Sequence, residues 1–414
     1  MNTLKKNDPL LAKIITKEMK RQEEGMELIP SENYTSKSVL EALGSVFTNK
    51  YSEGYPGKRY YGGQQFVDEM ELLAIDRAKK LFGAEHVNLQ PLSGAPANLA
   101  VYSAVLQPGD TVLGMDLSHG GHLTHGHPVT LPAKIYHFER YKTESNGKID
   151  YDKLRTQAKK VKPKLLLAGF SSYTRRLNFS AFQKIAKEVG AISMFDMAHV
   201  AGLVAGRVYP NPVKYFDIVT STTHKSLRGP RGGMILCKKE YARAIDKAVF
   251  PGLQGGPHEN NIAAKAVAFN EALKPSFEKY AQQIIANAKV LEKELKKRKY
   301  QIAFGGTDSH MLLIDVMASK GLTGKQAEIA LDVVGITLNK NVIPDDPRGP
   351  LDPSGIRLGT PAITTRGMKE KEMIQIADWI DQALEAHDNP KELKQIHKQV
   401  QALCKTFPVY GKKQ

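Results

Sequence analysis

Apolar residues recur at helical spacing over residues 36–48 and again over 67–83, where Val67, Met70, Leu73, Ala74, Ala78 and Leu81 share one face and Gly83 marks the end. From residue 87 the pattern changes. Short apolar runs, VNLQP, TVLGMD, KIYHF, KLLLAGF, ISMFD, DIVTST and GMILC, alternate with helical or turn segments such as 180–190. This alternation predicts an α/β fold with a mostly parallel, doubly wound seven-stranded sheet and helices on both faces. Near residue 250 the run FPGLQGGP breaks the alternation, and a long helical stretch follows over roughly 259–299. Beyond it HMLLIDV, a helix capped by Thr323 and ending at Gly335, ITLNK and GIRLG predict a smaller α+β domain closed by C-terminal helices. The expected division is an N-terminal arm over 1–35, a large domain over 36–280 and a small domain over 281–414.

Composition narrows this picture only at its edges. A chain of 414 residues, 41% hydrophobic, is long enough for more than one cored domain. No uncharged apolar run approaches the roughly 18 residues of a membrane span, and the N-terminus carries no apolar stretch of the signal-peptide kind. Neither secretion nor membrane insertion is expected. The two cysteines, Cys237 and Cys404, are far apart and in no CxxC spacing, which argues against a disulfide framework and for a reducing cytosol. The formal net charge of +16 favours encounters with polyanions, but the densest run, Lys296 to Lys299, lacks interleaved aromatics and matches no nucleic-acid motif. A solvated lysine surface accounts for it, and nucleic acid is not an expected partner.

The candidate chemistry centres on Val219 to Gly233, where Lys225 stands among Thr222, His224, Ser226, Arg228 and Arg231. Neighbouring cations and partial burial lower an amine's pKa and free a nucleophile, so Lys225 reads as a Schiff-base lysine; a strand end with a basic, Gly-rich turn is the plainer alternative. Ser93, Gly94 and Ala95 follow VNLQP and open a helix, which aims free N–H groups at an anion. Asp196 ends ISMF, with His199 three residues on. A strand-end carboxylate can hold a protonated ring nitrogen, or it can cap the next helix. Four histidines occupy 119–127, but no Glu follows in an HExxH pattern and no metal site is expected. Lysine, carboxylate and phosphate turn together specify pyridoxal 5′-phosphate, a cofactor made of aldehyde, ring nitrogen and phosphate.

At this point the chain resembles the serine hydroxymethyltransferases over essentially its whole length. The motifs are LIPSENYTS at 28–36, YSEGYPGKRYYGG at 51–63, GGHLTHG at 120–126, DMAHVAGLV at 196–204, STTHKSLRGPRGG at 221–233, FPGLQGGP at 250–257, LNKN at 338–341 and SGIRLGTPA at 354–362. The resemblance implies a fold-type I pyridoxal phosphate transferase, at least a homodimer, with active sites shared between subunits. It implies transfer of the side-chain carbon of serine to tetrahydrofolate, giving glycine and methylenetetrahydrofolate.

Carried over position by position, the resemblance makes Lys225 the cofactor lysine and Asp196 the partner of the pyridine nitrogen. His122 would stack on the ring, with Ser171 and His199 near its phenolic oxygen and Thr222 and His224 beside it. Ser93, Gly94 and Ala95 would take the phosphate, with Tyr51 and Gly256 from the other subunit. Arg357 and Ser31 would clamp the substrate carboxylate. Glu53, helped by Tyr61, would transfer the proton near the departing carbon. Leu117, Gly121, Leu123 and Asn341 match positions lining the folate site. The chain departs from the family pattern at Ala95, where many relatives have Ser, and most of all over 127–146, next to the folate-lining loop. Two other readings compete: a folate-independent aldolase for 3-hydroxy amino acids on the same fold, and a polyanion-binding protein that keeps the scaffold.

Overall fold

The computed structural model describes residues 2–410. Its centre is a seven-stranded sheet in the order His86–Asn88, Gly233–Cys237, Ile218–Thr222, Ile192–Asp196, Leu165–Gly169, Thr111–Met115 and His137–Tyr141. Only Gly233–Cys237 runs against its neighbours; the other pairings are parallel. The interior strands are buried residue after residue, as a sheet covered on both faces requires. The carboxyl ends of Ile192–Asp196 and Ile218–Thr222 and the start of Gly233–Cys237 share one edge of this sheet, where ligands of doubly wound sheets bind.

Several elements differ locally from the pattern. The helical spacing over 36–48 is cut at Gly44 into Lys37–Leu43 and a short turn of helix at Val46–Asn49. KIYHF starts as helix, Leu131–Ile135, and becomes strand only at His137. VNLQP pairs regularly only as far as Asn88; Pro91 O still accepts from Gly233 N–H at 3.0 Å, but Pro91 has no N–H to give back. The stretch 259–299 is two helices, Glu259–Ala272 and Pro275–Lys297, divided where Pro275 begins the second. Helix Gln65–Phe82 ends at Gly83 with φ 71° as expected, but its buried stripe is Val67, Met70, Glu71, Ala74, Ala78 and Phe82, while Leu73 is exposed. A buried arginine, described below, draws Glu71 inward.

The smaller sheet is antiparallel, in the order Gln301–Ile302, Met311–Asp315, Gly355–Gly359 and Asn339–Asn341. Thr323 caps helix Gly324–Val333 with a reciprocal Gln326 contact. Residues 22–27 of the N-terminal arm are tied to it: strand Met26–Glu27 pairs in parallel with Ile336–Thr337, and Arg366 donates to the carbonyls of Gln22, Glu23 and Gly25. Helix Pro275–Lys297 carries the proposed domain boundary near residue 280. Phe277, Ala281 and Ile284 join the core of the large sheet, whereas Leu291 and Leu295 join that of the small one. Among the described residues no helix is long and apolar enough to cross a membrane, and both cysteines are free and buried.

Candidate active site

A cavity of about 380 Å³ opens at the carboxyl edge of the large sheet, lined by Ser31, Ser93, Gly94, Ala95, His122, Ser171, Asp196, His199, Thr222, His224, Lys225, Arg231 and Arg357. Segments far apart in the chain build it. Ser93 precedes helix Gly94–Val105, whose third residue is Pro96, so Gly94 and Ala95 offer the open N–H groups of the first turn. A side chain at Gly94 would meet Thr222 Cγ2 at 2.8 Å, so glycine leaves this mouth open. Asp196 ends one strand and Lys225 follows the next. The backbone carbonyl of Lys225 accepts from Asn33 Nδ2 at 3.0 Å, which fastens the lysine to the N-terminal segment carrying Ser31.

Lys225 Nζ makes no hydrogen bond among the described residues. Burial lowers its pKa to about 8; the Asp196 charge opposes this, while Arg357 and Arg231 add to it. At pH 7 the free amine rises from roughly 0.03% of an ordinary lysine to roughly 9%. The rate at which the cofactor-free protein is trapped by an added aldehyde and reductant should therefore climb about tenfold per pH unit below pH 8 and then level off. A climb continuing to pH 10 would mean an ordinary lysine.

Asp196 is buried with three donors. Oδ1 accepts from Ala198 N–H at 3.0 Å, and Oδ2 accepts from Asn98 Nδ2 at 2.9 Å and meets His125 Nε2 at 3.2 Å. The cap reading of Asp196 does not hold: the next helix, Ala201–Ala205, has Val200 at its N-cap and no side-chain cap bond, and the Ala198 contact closes only a local turn. Burial pushes its carboxyl up, but the His125 hydrogen bond, the charges of His125 and His122 and the Asn98 hydrogen bond outweigh it, holding the group well below the usual carboxylate range. His125 Nδ1 accepts from His122 N–H at 3.2 Å, so Nε2 carries the proton and donates to Asp196. Oδ1 keeps a lone pair for a cationic N–H.

The other histidines of the cavity are neutral. Burial first, then the nearby cationic groups, lowers His122 to about 4 and His224 to about 3, and takes His199 well below its ordinary value. His122 accepts from Thr124 N–H at 3.2 Å, and His199 stacks on His310 with ring centroids 5.6 Å apart. Arg357 donates to Ser171 O at 2.6 Å and to Asn339 Oδ1 at 3.1 Å, pairs with no carboxylate among the described residues, and has Nη2 free of either bond. Burial lowers it only to about 10, so it stays cationic. The arrangement combines a free amine, a fixed anion, an anion-binding turn and a buried fork for a carboxylate.

Four expected site residues stand elsewhere. Tyr51, Glu53, Tyr61 and Gly256 gather at a second cavity or beside it: Tyr51 OH is 3.4 Å from Glu53 Oε1, the Tyr51 and Tyr61 rings are 5.3 Å apart, and Gly256 faces the Tyr51 ring. Of the folate-matching positions, Leu123 lines an apolar cavity of about 710 Å³ that shares His122 and Ala95 with the first. Gly121 is pinned by its N–H to Asp116 O at 2.8 Å, while Leu117 and Asn341 line neither of these two cavities. His122, His125 and Asp196 hold their ligand atoms within 4.8 Å of one another; His122 and Asp196 line the first cavity, and His125 is buried behind them.

The sequence reading assigned no role to Asn98 or His125. Asn98 had a signal, since it sits one helical turn after Gly94 and so faces the same way. His125 had none beyond its place in a histidine-rich run.

The profile of the family described as serine hydroxymethyltransferase matches residues 4–380. The chain is 56% identical to the serine hydroxymethyltransferase of Acidobacterium capsulatum over 410 residues, 99% of this chain and 96% of that one. It is 55% identical to that of Desulfotalea psychrophila over 411 residues and 54% identical to that of Koribacter versatilis over 409, each again 99% of this chain and 96% of the relative. With likeness of this extent laid over the lysine, carboxylate and arginine of one cavity, the chain belongs to the serine hydroxymethyltransferase family.

Proposed function

We propose that the chain catalyses the reversible transfer of the hydroxymethyl carbon of serine to tetrahydrofolate, leaving glycine, with pyridoxal 5′-phosphate in the 380 Å³ cavity. The observation that carries this is the meeting there of Lys225, Asp196, the Ser93 turn and Arg357, one receptor for each part of cofactor and substrate. The residues present suit that group: an unpartnered amine, a carboxylate with a spare lone pair, an unpartnered buried His224 Nδ1 and open N–H groups at the helix start. The bound cofactor supplies an electron-poor ring that takes up the electron pair left when a bond to the substrate α-carbon breaks.

The chain's own residues do the rest. Lys225, part of it a free amine at neutral pH, would hold the cofactor's aldehyde carbon and give it up to the amine of the incoming substrate. Asp196, held as an anion by Asn98 and His125, would keep a proton on the ring nitrogen. His122, a neutral imidazole in the cavity wall, would lie against the ring, and Ser171, His199, Thr222 and His224 would close the surroundings. Gly94 and Ala95 N–H groups and Ser93 would hold the phosphate. Arg357, with Ser31, would orient serine by its carboxylate.

In the same reading Tyr51, Glu53, Tyr61 and Gly256 serve the cavity of a second copy of the chain, so the working unit is at least a homodimer. Their clustering at a surface apart from Lys225 supports this. Glu53 would hand a proton to and from the serine hydroxyl oxygen, with Tyr61 beside it. Leu117, Gly121, Leu123 and Asn341 would border the folate.

The test is an absorption spectrum of the purified protein with glycine, then with tetrahydrofolate added. A long-wavelength band that needs glycine and grows strongly with the folate is expected. A band indifferent to folate would favour the aldolase reading, and a protein that takes up no pyridoxal phosphate would end both.

A further inference from the structure

Helix Glu259–Ala272 carries a lysine that the chemistry above does not use. Lys265 is 2% exposed and pairs with no carboxylate among the described residues. Its Nζ instead donates to three backbone carbonyls, Leu89 at 2.7 Å, Gly233 at 2.8 Å and Pro91 at 3.4 Å. A neutral amine has only two N–H groups, so three acceptors match the ammonium form. Burial lowers the pKa of this amine to about 7, with the nearby charges of Glu71 and Glu259 opposing the fall, and an unbranched apolar side chain would fill the same space without the cost of burying a charge.

The location suggests what the charge does. Regular pairing of His86–Asn88 with Gly233–Cys237 ends at Asn88; beyond it Gly233 N–H still donates to Pro91 O at 3.0 Å, but Pro91 has no N–H to return to Gly233 O, and the chain then turns towards Ser93. Lys265 supplies the donors the ladder lacks. The carbonyls it gathers belong to two segments: 89–91 leads into the Ser93 turn, and Gly233 ends the loop that carries Lys225. Glycines make room for it. A side chain at Gly232 would meet Lys265 Cε at 2.5 Å, and one at Gly233 would run into Ser93 O. The two glycines that close STTHKSLRGPRGG are therefore placed by Lys265 and by the turn.

We propose that Lys265 is a positioning residue, a tethered amine beneath the Ser93–Gly94–Ala95 turn whose donated hydrogen bonds fix this turn against the Lys225 loop for binding of a phosphate monoester. The inference rests on the reading that the cavity holds pyridoxal phosphate. Three acceptors meeting at one donor set the height of the turn.

The test titrates cofactor-free wild type, Lys265→Met and Lys265→Gln with pyridoxal 5′-phosphate and, separately, with pyridoxal, following the absorption change on binding. Lys265→Met should weaken the phosphorylated ligand about tenfold or more, about 1.4 kcal/mol, and leave pyridoxal within about twofold. Lys265→Gln, which keeps two N–H donors, should fall between. Equal weakening of both ligands would reveal a general packing role and overturn the proposal, as would no weakening of either. If the methionine variant does not fold, a folded glutamine variant that binds both ligands as wild type does overturns it as well. A wild type that gives no absorption change with pyridoxal phosphate defeats the cofactor reading instead.

Discussion

Replacing Lys225 by glutamine is expected to lower turnover of serine with tetrahydrofolate by about a thousandfold or more, on the order of 4 kcal/mol of barrier. Loss of the nucleophile removes both attachment of the cofactor and its release to substrate. Stability should not follow. Lys225 Nζ makes no hydrogen bond among the described residues, the attraction of Asp196 is set against repulsion by Arg357 and Arg231, and Asp196 keeps its own three donors, so the variant leaves no orphaned partner. Thermal unfolding of the cofactor-free protein beside steady-state kinetics separates the two effects. A variant retaining a tenth of wild-type turnover would remove Lys225 from the chemistry.

Asp196→Asn should cost about a hundredfold to a thousandfold in kcat, because a neutral amide cannot keep a cationic ring N–H in place. Here stability is expected to fall too, by about 1–3 kcal/mol. The amide can still accept from Ala198, but its N–H₂ confronts the Asn98 and His125 donors, leaving buried groups unsatisfied. A second readout follows from charge. Asp196 raises the Lys225 pKa, so its loss should move the pH at which aldehyde trapping by the cofactor-free protein levels off to below 8. An unmoved levelling point would mean that the two groups do not communicate.

The fold class was legible because strands buried on both faces must be continuous apolar runs and their connections must be helical, and both leave a local mark in the sequence. Asp196 was found from its position at the end of such a run, and Lys225 from its cationic neighbours. Departures arose where a local pattern met a distant partner. Glu71 replaces Leu73 in the buried stripe of Gln65–Phe82 because Arg59 and Gln90 wait inside for its carboxylate. Helical spacing alone cannot distinguish these two positions.

By itself the sequence determined the order of strands and helices, the capping residues, and the motifs that mark the family, since these depend on neighbours in the chain. Only the tertiary structure decided which side chains meet. It placed Asn98 and His125 on Asp196 across separations of 98 and 71 residues, and so set the His125 tautomer. It set Glu53 and Tyr61 apart from Lys225 in the same chain, and it brought Lys265 under Leu89 across 176 residues. Hydrogen bonds and charges act over a few ångströms of space, and no local pattern records which distant residues the packed sheet will bring within that range.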